Sequence, residues 1–377
     1  TDVSTPASDA FRYAHAHHDE IAWLSQNTNH LVPPGIVQAA VEKAARERRY
    51  EGYPLATGDP ELIETVAKDF GLAGMNPFLT GGGTEALYMT TRALLGPGDE
   101  VVASDPSYLI IHRFVDLCGA KTVNLDIYRP PYRLTADRVN EAVGPRTKMI
   151  LLIDPLNPLG SGYPREEVRA IAEVAHDRHV TLLNDVTYRD FSDGHALAAQ
   201  FAPEETVTIW SVSKNCGLAG LRLGGLIARP ELLQKIGRFN TNDLGVNVLA
   251  QAAALAALQS KPKWIGEVVR QTRANGARIR DVVATVPGAT LPVYPSRANM
   301  MVIDIAPTGV TPDAVQDQML RHHGVFVRAG NYLSPTHGGR FVRLSFSNPP
   351  SDIERFAKAF PLTMKELSAR TPVARTA

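Results

Sequence analysis

Ser211-Val212-Ser213-Lys214-Asn215-Cys216-Gly217-Leu218-Ala219-Gly220-Leu221-Arg222-Leu223-Gly224-Gly225 continues directly from an apolar run that reads as a strand, Val207–Ser211. Its lysine therefore falls at the carboxyl end of a strand. In open α/β sheets ligands bind outside those ends, and an amine held in such a crevice can condense with an aldehyde. The hydroxyls of Ser211 and Ser213 and the guanidinium of Arg222 are donors suited to a phosphate, the arginine with a two-pronged contact. Glycines let the backbone come close. An isolated S-x-S-K is more often a glycine-rich turn with a solvated lysine; Gly217, Gly220 and Arg222 at these offsets favour a site.

Around this segment, short β-rich runs alternate with amphipathic helical stretches, the pattern of βαβ units feeding a largely parallel sheet. Strands are expected at Val101–Ser104, Lys121–Asp126, Met149–Asp154, Val180–Asn184, Val207–Ser211 and Gly224–Ala228. Helices are expected at Leu109–Cys118, Ala136–Val143 and Arg165–Arg178, the last opened by Pro164. A long helical stretch from Leu244 to about Val286 is interrupted at Lys261-Pro262-Lys263, after which strands near Ala298–Ile305, Val325–Arg328 and Arg340–Phe346 flank one helix. At 377 residues the chain exceeds the roughly 250–300 at which single cores stop growing, so two domains around a shared site are expected.

Lysine plus arginine and aspartate plus glutamate balance at 39 each without long runs of either sign, so neither nucleic acid nor an anionic membrane is an expected partner. Cys118 and Cys216 lie in no metal-ligand spacing; no metal is expected, and a reducing cytoplasm fits. The first twenty residues carry His15, His17, His18, Asp19 and Glu20 in place of an apolar core, which argues against a secretory signal. The longest apolar stretch, around Val248 to Leu258, is broken by Gln251 and is too short to span a bilayer.

Other segments carry chemistry of their own. Thr80-Gly81-Gly82-Gly83-Thr84-Glu85-Ala86-Leu87 sets a glycine turn before a helix, where free N–H groups and the helix dipole can hold a phosphate dianion. Asp105-Pro106-Ser107-Tyr108 and Asn184-Asp185-Val186-Thr187-Tyr188 each end a strand. His30, within Gln26-Asn27-Thr28-Asn29-His30-Leu31-Val32-Pro33-Pro34-Gly35, is either an acid–base group or a hydrogen-bonded loop histidine.

Together these segments resemble the fold-type I pyridoxal-phosphate enzymes, close to the class I/II aminotransferases and their histidinol-phosphate aminotransferase branch, over nearly the whole chain beyond the first twenty residues. The resemblance implies an α/β fold: a large domain (49–287) with a mostly parallel sheet of the seven-stranded type, and a smaller α+β domain built from both termini (1–48, 288–377). It implies pyridoxal 5′-phosphate on Lys214 as a Schiff base, its phosphate held by Gly82, Gly83, Thr84, Ser211, Ser213 and Arg222. Tyr108 would stack on the pyridine face. Asp185 would pair with the pyridinium nitrogen, keeping the ring an electron sink. Tyr188 would reach the phenolic oxygen together with Asn157, from Asp154-Pro155-Leu156-Asn157-Pro158-Leu159-Gly160. That stretch resembles N-P-x-N-P-T-G, with Asp154 and Leu159 as departures.

Tyr53, with Tyr50 as competitor in Y-E-G-Y-P-L-A-T-G-D-P-E-L (50–62), matches the tyrosine that crosses to a neighbouring subunit's phosphate, which implies a homodimer with shared active sites. Arg343 matches the carboxylate-binding arginine, with Arg328 and Arg340 as rivals. The stretch 26–35 is similar to the branch's substrate-side segment and assigns Asn29, His30 and Gly35 to substrate, although Thr28 and His30 replace its glutamate and proline. The implied reaction moves an amino group from an amino acid, or an amino-alcohol phosphate, to a 2-oxo acid. Its kinetics would be ping-pong, with Lys214 as proton shuttle. The alternative on the same scaffold is a decarboxylase, cyclase or oxidase acting at Cα.

Overall fold

The computed structural model describes residues 6–370; residues 1–5 and 371–377, the outer ends of the two expected terminal units, lie outside the described residues. In chain order the strands are β1 (Ala22–Trp23), β2 (Asn76–Thr80), β3 (Glu100–Asp105), β4 (Lys121–Asp126), β5 (Thr147–Ile153), β6 (Thr181–Asp185), β7 (Thr206–Ser211), β8 (Gly224–Ala228), β9 (Met300–Asp304), β10 (Val325–Phe326), β11 (Arg328–Ala329) and β12 (Phe341–Ser345).

Seven of them form one sheet in the order β2-β8-β7-β6-β5-β3-β4. From β7 to β4 every pair is parallel, while β8 runs against both of its neighbours. Strands buried on both faces read as continuous apolar runs. Met149 to Ile153 of β5 and all of β7 are accordingly buried, and helices such as Gly83–Leu94 and Arg165–Asp177 complete the α/β layers.

A second assembly joins β11, β12 and β9 in an antiparallel sheet, and β1 pairs with β10. Ala22 and Leu24 near one end of the chain share a core with Met301, Ile303, Phe356 and Phe360 near the other. The β11–β12 register sets Arg328 opposite Arg343. Directly opposed residues project to the same face of a sheet, so both guanidiniums leave on one side.

Three expectations differ. The helix Val248–Val283 runs unbroken through Pro262. Proline removes one ladder donor, but Lys261 beside it is buried in ionic contacts, and Trp264 Nε1 donates to Ser260 Oγ at 3.1 Å across the same turn. The helix begins at Val248 rather than near Leu244, because the Asn247 side chain caps Leu249 and Ala250 N–H. The single strand expected at Val325–Arg328 divides at Val327 between two sheets, β10 following β1 and β11 following β12. Strand β2 goes unread in the sequence, since Pro77 lies in it and its first residue is exposed. Among the described residues no helix is long and apolar enough to cross a membrane.

Candidate active site

Parallel neighbours β5, β6 and β7 end side by side, so the residues that follow them enter one crevice. Asn157, Asp185 with Tyr188, and Lys214 arrive there from the three strands, Tyr108 from β3, and Gly83 and Thr84 from the start of the helix Gly83–Leu94. With Ser211, Ser213, Arg222 and Arg343 they line a cavity of about 730 Å³.

Lys214 Nζ donates to the Gln26 carbonyl at 2.7 Å. Removal from water, followed by the charges of Arg343 and Arg222, pushes its ammonium down to about 7 from the ordinary 10.5. Asp185 is buried, which raises its carboxyl; the Thr187 hydroxyl (2.6 Å) and N–H (3.0 Å) donate to Oδ1 and oppose that rise. Tyr188 is likewise raised by burial, and Asn27 Nδ2 donates to its hydroxyl at 3.0 Å. Arg343 is held at about 10 by burial. Its Nη1 donates to Asn157 Oδ1 at 2.9 Å and its Nη2 to the Ser25 carbonyl at 2.5 Å, while Nε has no partner among the described residues.

The opposite end is built for an anion. Gly82 takes φ 108° and caps the helix Gly83–Leu94 without a side chain, leaving the first N–H groups uncapped. A Cβ at Gly82 would stand 2.6 Å from Arg222 Nη2. The Ser211 and Ser213 hydroxyls lie 2.9 Å apart, and Thr84 Oγ1 is 3.5 Å from the Tyr108 hydroxyl. Both departures from N-P-x-N-P-T-G have structural counterparts. Asp154 Oδ2 lies 3.1 Å from Nε2 of buried His195, and Leu159 is fully buried in the core.

Other expected residues are placed elsewhere. Asn29 Nδ2 donates to the Asn215 carbonyl at 3.0 Å and its Oδ1 accepts from Leu31 N–H, so this side chain braces the lysine loop instead of facing the cavity. His30 shares a 2.8 Å contact with Thr28 Oγ1 and lines a separate groove beside His15 and His18. Gly35 is exposed in the first turn of the helix Pro34–Arg46. Tyr53 is 81% exposed, outside the cavity lining. Of the rivals to Arg343, Arg340 pairs with Asp304 at 3.0 Å, whereas Arg328 does line the cavity, between the rings of Phe11 and Tyr332.

The sequence reading missed Ser25, Gln26 and Asn27. Two of these act through backbone carbonyls, which leave no mark in sequence. Asn27 does carry a signal, because it adopts φ 54° and asparagine tolerates that region better than most residues.

The model for aminotransferase class I and II matches residues 19–360. The chain belongs to that family. Class I and II aminotransferases are pyridoxal-phosphate enzymes of the fold-type I architecture, and this member shares both the fold and the cofactor class. A histidinol-phosphate aminotransferase of Methanosarcina mazei is 30% identical over 352 residues, 93% of this chain and 90% of that protein. A probable N-acetyl-LL-diaminopimelate aminotransferase of Bacillus subtilis is 28% identical over 88% of this chain and 86% of its own length. Among solved structures, a mutant aspartate aminotransferase of Thermus thermophilus superposes with a TM-score of 0.79 at 25% identity, covering 90% of this chain and 95% of that one.

The cavity of this aminotransferase suits the family's cofactor in three independent ways. The helix start at Gly83 offers N–H groups beside the Thr84, Ser211, Ser213 and Arg222 side chains for an anion, a buried carboxylate whose Oδ2 takes no hydrogen bond among the described residues lines the same cavity, and so does an amine brought near neutrality. Imine formation needs the uncharged amine, which a lowered value populates near pH 7. Trapping of pyridoxal phosphate on Lys214 of the cofactor-free protein by borohydride should therefore rise with pH around a midpoint near 7, read by mass spectrometry. A midpoint near the ordinary 10.5 would contradict the desolvated environment.

Proposed function

We propose that this enzyme transfers an amino group from an amino acid to a 2-oxo acid in two half-reactions with ping-pong kinetics, Lys214 holding the cofactor's aldehyde carbon covalently. The observation that carries the reading is a near-neutral amine and a buried carboxylate, Lys214 and Asp185, in one cavity with an anion cradle. Asp185 would hold the ring nitrogen, Asn157 and Tyr188 the phenolic oxygen, and Tyr108 the ring face. Gly82, Gly83, Thr84, Ser211, Ser213 and Arg222 would hold the phosphate. When bound, the cofactor supplies an electron sink for the charge left at the substrate Cα. Lys214 Nζ, when free, would take the proton from Cα and deliver it to the carbon that had carried the aldehyde; an amine titrating near 7 accepts and surrenders a proton at similar cost. Arg343 receives the substrate carboxylate, its unpartnered Nε and the planar fork being suited to two oxygens. Lys214→Ala should abolish the visible absorbance of the holoenzyme and lower turnover by about three orders of magnitude or more. A variant with wild-type turnover ends the proposal.

The donor side chain would meet Arg328, whose buried Nη1 has no hydrogen-bond partner among the described residues and which stands on the same sheet face as Arg343. A second guanidinium next to Arg343, with Arg113 lining the same cavity, suits a donor bearing a second carboxylate or a phosphate. Histidinol phosphate, named for the Methanosarcina relative, is one compound of that class. Arg328→Met should lower kcat/KM about tenfold for acidic donors and leave neutral donors unchanged; equal losses on both would remove this assignment.

The same reading divides the chain into 1–48, 49–287 and 288–377 and makes the enzyme a homodimer. Tyr50, Tyr53, Leu55, Phe239 and Leu244 are exposed, and Gly245 packs on the Leu55 carbonyl, so the two stretches form one apolar patch. A second copy covering it would bring Tyr53 to the neighbouring phosphate cradle. Sedimentation equilibrium should give twice the chain mass, and Leu55→Glu with Leu244→Glu should give monomers; a wild-type monomer with full activity refutes the shared site.

A further inference from the structure

Beneath the lysine loop lies an ionic quartet that the chemistry above does not use. Lys261, on the helix Val248–Val283, reaches Asp69 at 2.6 Å and Asp190 at 3.3 Å, and Arg189 pairs with Asp69 while its guanidinium covers the Phe70 ring. The four side chains are 9–22% exposed, and their charges balance. Burial alone would raise the Asp190 carboxyl, but Arg189 and Lys261, with the Asn215 amide, hold it below the ordinary value, so it is ionised. Its Oδ2 accepts from Asn215 Nδ2 at 2.5 Å, a short contact of the charge-assisted kind. Asn215 directly follows Lys214 and is itself buried. Its Oδ1 accepts the Cys216 N–H at 2.9 Å, and its carbonyl accepts from Asn29 at 3.0 Å. Every polar group of this residue's side chain and its carbonyl is therefore fixed from the protein interior.

We infer that Asp190, steadied by Lys261 and Arg189, is a positioning residue for Lys214, acting through Asn215. The inference rests on the reading of Lys214 as the reactive amine. A lysine side chain turns about four bonds, so once the amine is released from covalent attachment the place of its backbone limits the region that Nζ can reach. The Asp190–Asn215 contact supplies that limit, keeping Nζ under the Gln26 carbonyl and in the water-poor wall. Asp190 itself does not line the cavity and touches no reacting atom.

The test uses Asn215→Ser, which severs the contact and leaves all four charges in place, and Asp190→Asn, which removes the anion at constant size. The Lys214 titration is measured on cofactor-free protein by pH-dependent amine labelling and mass spectrometry. Positioning predicts that water enters around a loosened Nζ, so the midpoint rises from near 7 by about one unit in both variants, with kcat of the holoenzyme falling about tenfold and KM changing less than about twofold. A purely electrostatic role predicts the opposite sign for Asp190→Asn, because removing an anion disfavours the ammonium and lowers the midpoint. A merely structural brace lowers the melting temperature and leaves the midpoint where it was. Either of the last two outcomes overturns the inference. Asn215→Ser alone decides it should Asp190→Asn fail to fold. Failure of the parent reading is separately visible, since wild-type Lys214 would then take no borohydride-trapped pyridoxal phosphate.

Discussion

Taking one ammonium group out of water organises this molecule. Charged Lys214 would prefer solvent, and of the four arginines that share its cavity Arg343 and Arg222 act on it by like charge. Desolvation and like charge push in the same direction, so the wall favours the uncharged amine, which is the form that attacks a carbonyl. The surrounding structure supplies what that arrangement requires: a carbonyl from Gln26 for the amine, another from Ser25 and the Asn157 amide oxygen for Arg343, and a helix start without a capping side chain near Arg222.

Parallel strands then do the gathering. Since β5, β6 and β7 share direction and adjacency, three chain segments far apart in sequence end at one rim. Antiparallel β8 follows β7 and brings Arg222 back to the same rim through the glycine-rich turn. A Cβ at Gly224 would stand 2.7 Å from both Gly83 N and the Trp210 carbonyl, so the phosphate-end backbone and the lysine strand can only meet over a glycine.

Much of this was legible in sequence because several functional groups sit at the end of a strand or one short turn beyond it, and strand-then-turn is what apolar runs followed by glycine, proline and asparagine announce. Lys214, Asp185 and Asn157 follow that pattern, Arg343 was assigned by family resemblance from within a late strand, and all four converge on one cavity. What escaped depends on contacts that residue type does not encode. Gln26 and Ser25 serve through carbonyls that any residue would offer. Asn29 looked like a substrate contact but turns toward Asn215, a choice set by a partner 186 positions away. Pro262 suggested a break that its buried neighbours overrule, and Asp154 looked like a simple departure until the fold set His195 beside it.

The segment from Ser25 to Asn29 leaves β1, which is zipped to β10 in the smaller sheet assembly, and it grips the two cations Lys214 and Arg343 through main-chain carbonyls while Asn27 and Asn29 hold Tyr188 and the lysine loop through side chains. Peptide oxygens cannot be deleted by substitution. Drift at Ser25 and Gln26 leaves Lys214 and Arg343 still tethered to the strap, so those two positions can diversify toward new donors while the catalytic geometry stays put. Selection for substrate and selection for chemistry are, at these two positions, carried by different atoms of the same residues.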